Sequence, residues 1–347
     1  MAGYLEKAIK VLSKEKTKRE GRVFHEFAVF CDRQLNNQNN IEDYERASKL
    51  RESKQAEILE AEKQIKTATG QKLESLKGFR LKAQKVLSLD DLEYTRLREN
   101  REAFLERSLW NYLRCLEICD DFDKDAIRFC SLWLQYSTNE KANKAADRIL
   151  NQVPSRKFVP LMNQLSSRMS DETDDFQELL VPLIVRICRD HPYHGIYQIL
   201  SVTKSKAKDP SSHSRASAAS RIALKLKDEG EFPGDVMQRL HKAIGTYVKV
   251  ALYKVKLEKK CSKVAIKRAF PDETGLGTKV EREIPNLRLP PPTMNIEIRA
   301  DCDYTNLPYL TKFGSEVSIA SGISAPKILT CHDSTGHSFK MLVSALF

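Results

Sequence analysis

Long apolar runs are missing from this 347-residue chain, and no stretch approaches the roughly 20 apolar residues that a membrane-spanning helix needs. Its 8 cysteines are scattered and form no Cys-x-x-Cys pair, so the clustered thiolates typical of a structural zinc site are absent. The first residues lack the basic segment and apolar segment of a secretory signal. We therefore expect a cytosolic or nuclear protein with reduced, mostly buried cysteines.

Negative charge is outnumbered by positive charge. The chain has 58 Lys and Arg against 47 Asp and Glu, a formal net charge of +11, and 41% of its residues are hydrophobic. That apolar content is enough to build cores and excludes wholesale disorder. At ordinary domain sizes, the length predicts two or three domains.

Apolar side chains recur at helical spacing from about residue 4 to residue 269. The highly charged stretch 43–86 has a narrow apolar stripe, which predicts a long helical hairpin that partly projects into solvent. Ser88 and the residues after it predict the capped start of the next helix. Shorter amphipathic segments, typical of an α-solenoid, cover residues 126–136, 139–152, 158–168 and 175–189.

A basic connector follows this helical part. Residues 204–215 are polar and Ser-rich and predict a surface loop, whereas residues 235–256 predict a basic amphipathic helix. Residues 272–288 predict a second loop. Its Gly275-Leu276-Gly277 sequence lacks the third glycine and the preceding strand of a phosphate-binding motif.

The triple proline at residues 290–292 marks a change from helical to strand character. Apolar and polar residues alternate with period two after it, as they do in half-buried strands. The predicted strands cover residues 294–298, 313–319, 327–331 and 339–343. About 55 residues of β pattern are marginal as an independent domain, so they indicate the beginning of a larger one.

Three features have more than one interpretation. His191 and His194 suggest a metal pair, but no carboxylate or cysteine spacing completes it, and we favour a helix boundary. The basic face of residues 239–268 fits nucleic-acid phosphates or solvent, and interspersed Glu favours solvent; its run 259–268 also resembles a nuclear-targeting patch. The hairpin at 43–86 fits a partner-binding or dimerising coiled coil as well as a solvated arm.

Several ordered motifs resemble those of the phosphatidylinositol-3-kinase-related kinases, most closely the ATM-type checkpoint kinases and their fungal telomere-maintenance relatives. Phe129–Leu134, Lys157–Leu165 and Asp190–His194 resemble hallmarks of the helical FAT region. Pro292–Met294 resembles the entry to the amino-terminal lobe of the kinase, and Ser321–Ile328 resembles its phosphate-covering loop and the next strand. The motifs follow the order of the family and cover nearly the whole chain.

The resemblance implies a very large serine/threonine protein kinase, a transferase whose FAT solenoid precedes a two-lobed kinase domain of the PI3K/PI4K type. Such kinases use ATP and Mg, prefer Ser or Thr followed by Gln, and act in DNA repair and telomere maintenance. The implied partners are the rest of the kinase, a dimer partner and a DNA-break-sensing protein complex. The implied location is the nucleus, including the telomeric region of chromosomes, with the cytoplasm as a second location.

The resemblance also places a candidate cofactor site. Seven residues form a phosphate-loop-like turn: Ile319, Ala320, Ser321, Gly322, Ile323, Ser324 and Ala325. The phosphate-binding lysine of the family aligns with Ser344, whose hydroxyl carries no positive charge. Lys340 lies on the same strand face but about 13 Å away, too far to replace it. The catalytic loop and the metal-binding aspartate of the family have no counterpart in these residues, so we expect no catalytic or metal site, no productive binding of ATP and Mg, and no kinase activity.

The predicted fold class is mainly α, with a FAT-type α-solenoid of antiparallel helices followed by a truncated β-rich kinase N-lobe. The predicted domains are the FAT solenoid at 1–205, a helical basic connector at 206–291 and the start of the N-lobe at 292–347, with the catalytic domain beginning near residue 313. Since the tail departs from the family at Ser344 and a splice-donor sequence can encode Val343-Ser344, we expect a longer gene product.

The predicted function is that of a segment of an ATM-like kinase of DNA-damage signalling and telomere maintenance, in which the helical region braces the kinase. A non-enzymatic helical scaffold for protein–protein interaction is the alternative. Direct binding of nucleic acid through the excess positive charge is a third hypothesis, and no membrane partner is expected.

Overall fold

A computed structural model describes residues 18–203, 209–228, 231–255, 263–321 and 325–344 of the chain. The chain divides into two units, Met1–Lys157 and Phe158–Phe347. Among the described residues, α-helices dominate both units, and a small antiparallel sheet belongs to the second. None of the described helices is both long and apolar enough to cross a membrane.

The described part of the first unit contains five α-helices and two short 3-10 turns. The helices are α1 (Lys18–Leu35), α2 (Gln38–Ile65), α3 (Gln71–Ile118), α4 (Asp125–Gln135) and α5 (Glu140–Asp147). The 3-10 turns are Leu150–Gln152 and Ser155–Lys157.

Helices α2 and α3 form the long antiparallel hairpin that the sequence predicts. Tyr44 Oη lies 3.0 Å from Tyr94 Oη, and Arg51 Nε donates to Asp91 Oδ1 over 2.5 Å. The predicted helix start at Ser88 is wrong because α3 runs without a break from Gln71 to Ile118. Ser88 Oγ donates to the carbonyl oxygen of Lys85 over 2.7 Å, a bond that serine makes inside a helix rather than at an N-cap.

The core of the first unit lies between α1 and the C-terminal half of α3. Apolar residues of α1 at helical spacing are buried there: Phe24, Phe27, Ala28, Cys31 and Leu35. The buried residues of the neighbouring helix α3 form the other side of this core: Leu105, Leu109, Tyr112, Leu113, Cys115 and Leu116. The expectation of mostly buried cysteines is confirmed at Cys115 and Cys119.

Two predicted helical segments of the second unit, 175–189 and 235–256, are confirmed with bounds shifted by up to four residues. Up to residue 252 the described part of this unit contains a 3-10 turn (Val159–Leu161), α6 (Met162–Ser166), α7 (Asp175–Asp190), α8 (Pro192–Thr203), α9 (Pro210–Asp228) and α10 (Glu231–Leu252). The loop prediction for 204–215 is wrong from Pro210 onward, where α9 begins. Asp209 Oδ2 accepts from the backbone N–H of Ser212 over 2.9 Å, which satisfies a donor at the helix start. Residues 204–208 lie outside the described residues.

The loop predicted at residues 272–288 is mostly helical, so that prediction is wrong. After strand β1 (Lys263–Ala265) and helix α11 (Ile266–Ala269) come a 3-10 turn (Asp272–Thr274), α12 (Leu276–Thr278), a π-helical stretch (Lys279–Glu283) and α13 (Ile284–Asn286). Leu276, Val280 and Ile284 recur every four residues and are buried. Burial of this stripe explains why a glycine-containing polar segment folds as helix.

The sheet has the order β1-β2-β3-β4 with every neighbouring pair antiparallel. Strands β2 (Leu310–Ile319), β3 (Lys327–Asp333) and β4 (Ser338–Val343) confirm three of the predicted strands. The strand predicted at 294–298 is wrong. The N–H of Met294 donates to Pro291 in a turn, and the carbonyl oxygen of Ile296 accepts from His194, so these backbone groups bond outside the sheet.

One face of the sheet packs against helices. The buried core there, called the lobe core below, joins the end of α10, the segment 266–284 and the strands. Its members are Val250, Ala251, Ile266, Ala269, Phe270, Leu276, Val280, Ile284, Leu310, Phe313, Val317, Leu329, Cys331, Met341 and Val343.

Candidate nucleotide-binding site

The turn between β2 and β3 contains the candidate phosphate-loop-like residues. Ile319 pairs with Lys327, and the N–H of Ala320 donates to the carbonyl oxygen of Pro326 over 2.8 Å, which closes the hairpin. Ile319, Ala320, Ser321 and Ala325 therefore lie together at its end, and Ala325 has a φ of 41°. Gly322, Ile323 and Ser324 lie outside the described residues. Phosphate binding at this turn stays a prediction.

The strand pleat sorts the side chains of β3 and β4 into a buried inner face and an exposed outer face. Leu329 and Met341 lie on the inner face, whereas Ile328 and Leu342 lie on the outer one. Ile328 pairs directly with Leu342, and the Leu342 side chain is 63% exposed. An apolar cross-strand pair is thus presented one residue from the hairpin turn. Sequence reasoning missed this pair, although the alternation in β3 and β4 contains it.

The two residues discussed as phosphate ligands are differently placed. Ser344 directly follows the last residue of β4 and is half-buried. Lys340 pairs with Thr330, which lies two positions farther from the turn than Ile328. At about 3.3 Å per residue, Lys340 lies about 7 Å from Leu342 along the strand. That Lys340 does not replace the lysine of the family stays a prediction.

Lys327 is a cation at the turn, but it points the other way. Its side chain is on the inner face and 2% exposed, and its Nζ donates to the carbonyl oxygen of Ala251 in α10 over 2.7 Å. Burial lowers the pKa of this ammonium group. Lys327 therefore holds the strand to the helix and is not available to a ligand on the outer face.

The described residues around the turn fit only part of an ATP molecule. Ile328 and Leu342 offer apolar surface to a flat ring, and the hairpin offers backbone groups. Lys327 is the one cation among residues 318–321, 325–328 and 342–344, and it faces inward. The described part of the chain has no group of three or more His, Cys, Asp or Glu residues that could hold a metal ion. The expected lack of productive ATP and Mg binding stays a prediction.

The two histidines of the Asp190–His194 motif lie at a helix boundary, as predicted. Helix α7 ends at Asp190 and α8 begins at Pro192. His191 Nδ1 lies 2.7 Å from the hydroxyl of Tyr304, and His194 Nε2 lies 2.9 Å from the carbonyl oxygen of Ile296. Both rings therefore contact the irregular segment after the triple proline.

The basic face at 239–268 is only partly described. In α10, the exposed Lys242 and Lys249 stand beside the exposed apolar residues Val248 and Leu252. Arg239 contacts Asp235 over 2.8 Å and so is partly neutralised. Residues 256–262 lie outside the described residues. Nucleic-acid binding and nuclear targeting by this face stay predictions.

Similar sequences reveal what kind of protein contains these elements. No protein-family model matches the chain. The serine/threonine-protein kinase tel1 of Emericella nidulans is 43% identical over 342 residues, which is 98% of this chain and 12% of that protein. The tel1 kinase of Schizosaccharomyces pombe is 30% identical over 343 residues, and the kinase ATM of Arabidopsis thaliana is 26% identical over 370. The chain spans about 12% of the length of its fungal relatives.

Solved structures give the same result. The open conformation of CtTel1 is 38% identical and superposes with a TM-score of 0.87, over 98% of this chain and 12% of that one. The FAT and kinase domain of CtTel1 is 37% identical with a TM-score of 0.85, over 98% of this chain and 22% of that one. The predicted mainly α fold with a small antiparallel sheet is confirmed. Over nearly its whole length the chain is therefore homologous to one segment of the Tel1/ATM-type phosphatidylinositol-3-kinase-related kinases.

Proposed function

We propose that the chain is the segment of a Tel1/ATM-type kinase in which the FAT helices meet the kinase and brace its N-lobe. The proposed parts are the end of FAT to residue 205, the connector at 206–291 and the start of the lobe at 292–347. The observation that carries this is the lobe core, in which Val250 and Ala251 of α10 are buried together with residues of the strands. A close-packed core has few voids and low compressibility, so it transmits strain from one of its elements to another.

Lys327 adds a polar tie to this apolar contact. Its Nζ binds the carbonyl oxygen of Ala251, one residue before the end of α10. The last carbonyls of a helix have no partner within the helix and carry the negative end of its dipole. A buried ammonium group is therefore well matched to this position, and the tie fixes β3 to the end of the connector helix.

The bracing role is testable in a full-length fungal Tel1 whose matching segment is replaced by residues 18–343 of this chain. We expect this chimera to phosphorylate a Ser-Gln peptide. Ala251→Asp places a charge in the lobe core and should lower kcat, because the lobe loses its support. Val248→Asp, on the exposed side of the same helix, is the matched control and should leave kcat unchanged. Equal kcat values for both variants in folded chimeras would contradict the proposal.

The 347-residue polypeptide by itself is proposed to lack kinase activity. Phosphoryl transfer depends on positioning and on neutralising the phosphate charge. The family resemblance aligns Ser344 with the phosphate-binding lysine, and no catalytic loop of the family is recognised in these 347 residues. Incubation of the pure chain with ATP, Mg and a Ser-Gln peptide should give no phosphopeptide. Turnover that remains after exhaustive purification would refute this.

The full protein is proposed to act as a dimer. CtTel1 is described as a complete dimer with C2 symmetry, which is said of that protein. In this chain, α3 exposes three leucines, Leu81, Leu89 and Leu92, at 57%, 65% and 68%. Their spacing places them along one side of the helix. This leucine stripe on the hairpin is the surface that we propose for contact with the second copy.

The family resemblance supports a role of the full protein in DNA-damage signalling and telomere maintenance in the nucleus. A full-length tagged protein should accumulate at induced DNA breaks. If the chain instead acts as a nucleic-acid-binding protein by itself, its affinity for DNA should fall steeply with salt, because counterion release dominates such binding. If it is a stand-alone scaffold, a stable product of this size should be present in cells without any larger form.

A further inference from the structure

A thiol, an imidazole and a phenol meet in the second unit, outside the candidate nucleotide-binding site. Cys302 Sγ lies 3.9 Å from His191 Nε2, and His191 Nδ1 lies 2.7 Å from the Tyr304 hydroxyl. These three residues, called the thiol array below, come from the start of α8 and from the irregular segment before β2. His191 is fully buried and Tyr304 is 2% exposed, whereas Cys302 is half-buried.

The hydrogen bonds determine which nitrogen of His191 carries the proton. The N–H of Arg299 donates to the Tyr304 hydroxyl over 3.1 Å, so that oxygen already accepts a bond. The hydroxyl can donate its own proton to His191 Nδ1. Leaving this buried donor without an acceptor would cost free energy of folding. Nδ1 is therefore the unprotonated nitrogen, and Nε2 carries the hydrogen. That N–H is directed at the sulfur of Cys302.

The segment around Cys302 is held in a fixed shape. Cys302 has a φ of 56°, a value that is uncommon for residues other than glycine. Arg299 and Asp301 form a two-point ion pair with distances of 2.9 and 2.7 Å. The thiol also lies 3.9 Å from the carbonyl oxygen of Ala300, to which it donates its proton. The sulfur is thus presented to the imidazole by a braced turn.

Among the cysteines that the structure describes, accessibility separates Cys302 from the rest. Cys31, Cys115, Cys119, Cys130, Cys188 and Cys331 are all buried. Burial raises the pKa of the Cys115, Cys130 and Cys188 thiols, and it raises the pKa of Cys331 to about 11. Among the described cysteines, Cys302 alone combines partial exposure with a hydrogen-bond donor aimed at its sulfur.

We propose that Cys302 is a modification site for small α,β-unsaturated carbonyl compounds, with His191 as the donor to its thiolate and Tyr304 as a positioning residue. The thiol first loses its proton to water, and the N–H of His191 Nε2 stabilises the anion. The sulfur lone pair then forms a bond to the β-carbon of the electrophile. The π electrons of the C=C bond move to the carbonyl oxygen, and the resulting enolate takes a proton from water at its α-carbon.

N-ethylmaleimide has this chemistry and serves as the probe on the folded chain. We expect Cys302 to be the first cysteine labelled, at a rate about tenfold above that of the same cysteine in a peptide of residues 297–307. Mass spectrometry of tryptic peptides identifies each labelled cysteine and distinguishes Cys302 from Cys261. Equal rates for protein and peptide would overturn the proposal.

Tyr304→Phe tests the positioning role. It removes the hydroxyl that fixes the imidazole tautomer, so the rate at pH 7 should fall and the pH–rate curve should move to higher pH. The charged and titratable groups near the array, which could also shape that curve, are Arg299, Asp301, Asp303, Tyr193 and His194. Tyr309→Phe removes a phenol oxygen from the same segment and is the matched control, expected to behave like the parent chain. A Tyr304→Phe curve identical to that of the parent would refute the role.

His191 is fully buried, so its replacement needs a conservative partner. His191→Phe removes the donor, whereas His191→Gln keeps an amide N–H at a similar reach. Among variants that retain the parental circular dichroism spectrum, His191→Gln should keep more of the labelling rate than His191→Phe. If His191→Phe does not fold, the labelling rates of Tyr304→Phe and Tyr309→Phe are the test of the proposal. Equal rates for the two folded His191 variants and the parent would also overturn the proposal.

Discussion

The ammonium nitrogen of Lys327 lies 2.7 Å from the carbonyl oxygen of Ala251, so a buried cation of strand β3 binds the last turn of helix α10. Lys327→Met keeps most of the apolar stem but removes the donor. We expect the free energy of unfolding to fall by about 1–3 kcal/mol, because the carbonyl loses its partner in a buried place. Urea unfolding measures the change. Lys340→Met, on the exposed outer face, should alter it by less than about 0.5 kcal/mol. Equal effects would argue against the tie.

Gly21 faces Cys119 so closely that a β-carbon at position 21 would lie 2.5 Å from the β-carbon of Cys119. Gly21→Ala should therefore destabilise the chain by about 1–3 kcal/mol through overpacking, although alanine is the better helix former. Gly78→Ala in α3 meets nothing within 4 Å and should stabilise by about 0.5–1 kcal/mol. Thermal unfolding distinguishes the two. Cys119→Gly should relieve the Gly21→Ala clash in the double variant, and additive effects would contradict this explanation.

Asp120 is bound by two cations at the end of the first unit. The hydrogen bond from Lys157, followed by the one from Arg156, lowers the pKa of Asp120 to about 2. A lowered carboxyl pKa contributes stability that is complete above the unfolded pKa, near 4, and lost as pH falls through the folded value. The Asp120 side chain is 68% exposed, so solvent screening limits its contribution to about 1 kcal/mol.

The difference in unfolding free energy between the parent and Asp120→Asn should accordingly be present at pH 7 and shrink towards zero by about pH 2. Chemical denaturation at several pH values measures it. Asp43→Asn, which removes a solvent-exposed partner of Arg46, is the control and should show a smaller difference at pH 7. A difference for Asp120→Asn that does not depend on pH would contradict the assignment.

The leucine stripe on the hairpin predicts a change in assembly. Leu89→Glu combined with Leu92→Glu should shift the full-length chimera from dimer towards monomer, because burying two carboxylates at an apolar contact is costly. Mass photometry reports the populations. Leu224→Glu changes an exposed leucine of α9 in the same way and should leave the dimer intact. An unchanged dimer in the double variant would place the contact elsewhere.

The parts of the fold that the sequence predicted well are those with a long, regular pattern. The hairpin and strands β2 to β4 are of this kind, since their apolar spacing is sustained over several turns or alternations. The boundary predicted at Ser88 failed because serine in a helix has an alternative to capping, which is to bond the carbonyl of Lys85. Residues 294–298 alternate like a strand, but their backbone groups bond to a turn and to His194 instead.

The functional residues were harder to predict because their positions depend on tertiary contacts. Lys327 is the first residue of a strand, and its charge predicts an exposed side chain. The strand pleat instead places it on the buried face, opposite Ala251. The thiol array joins residues more than a hundred positions apart, so no local spacing reveals it. The turn at 319–325 was identified by resemblance, and the pair Ile328 and Leu342 became visible only once the register was known.

Helix α3 reaches from the distal end of the hairpin into the core of the first unit without interruption. Its 48 residues correspond to about 72 Å at a rise of 1.5 Å per residue. Because the helix is uninterrupted, it contains no loop that could serve as a hinge between its two ends. We therefore expect that a protein bound at the distal end of the hairpin, by displacing that end sideways, would change the tilt of α3 where Leu113 and Leu116 pack in the core.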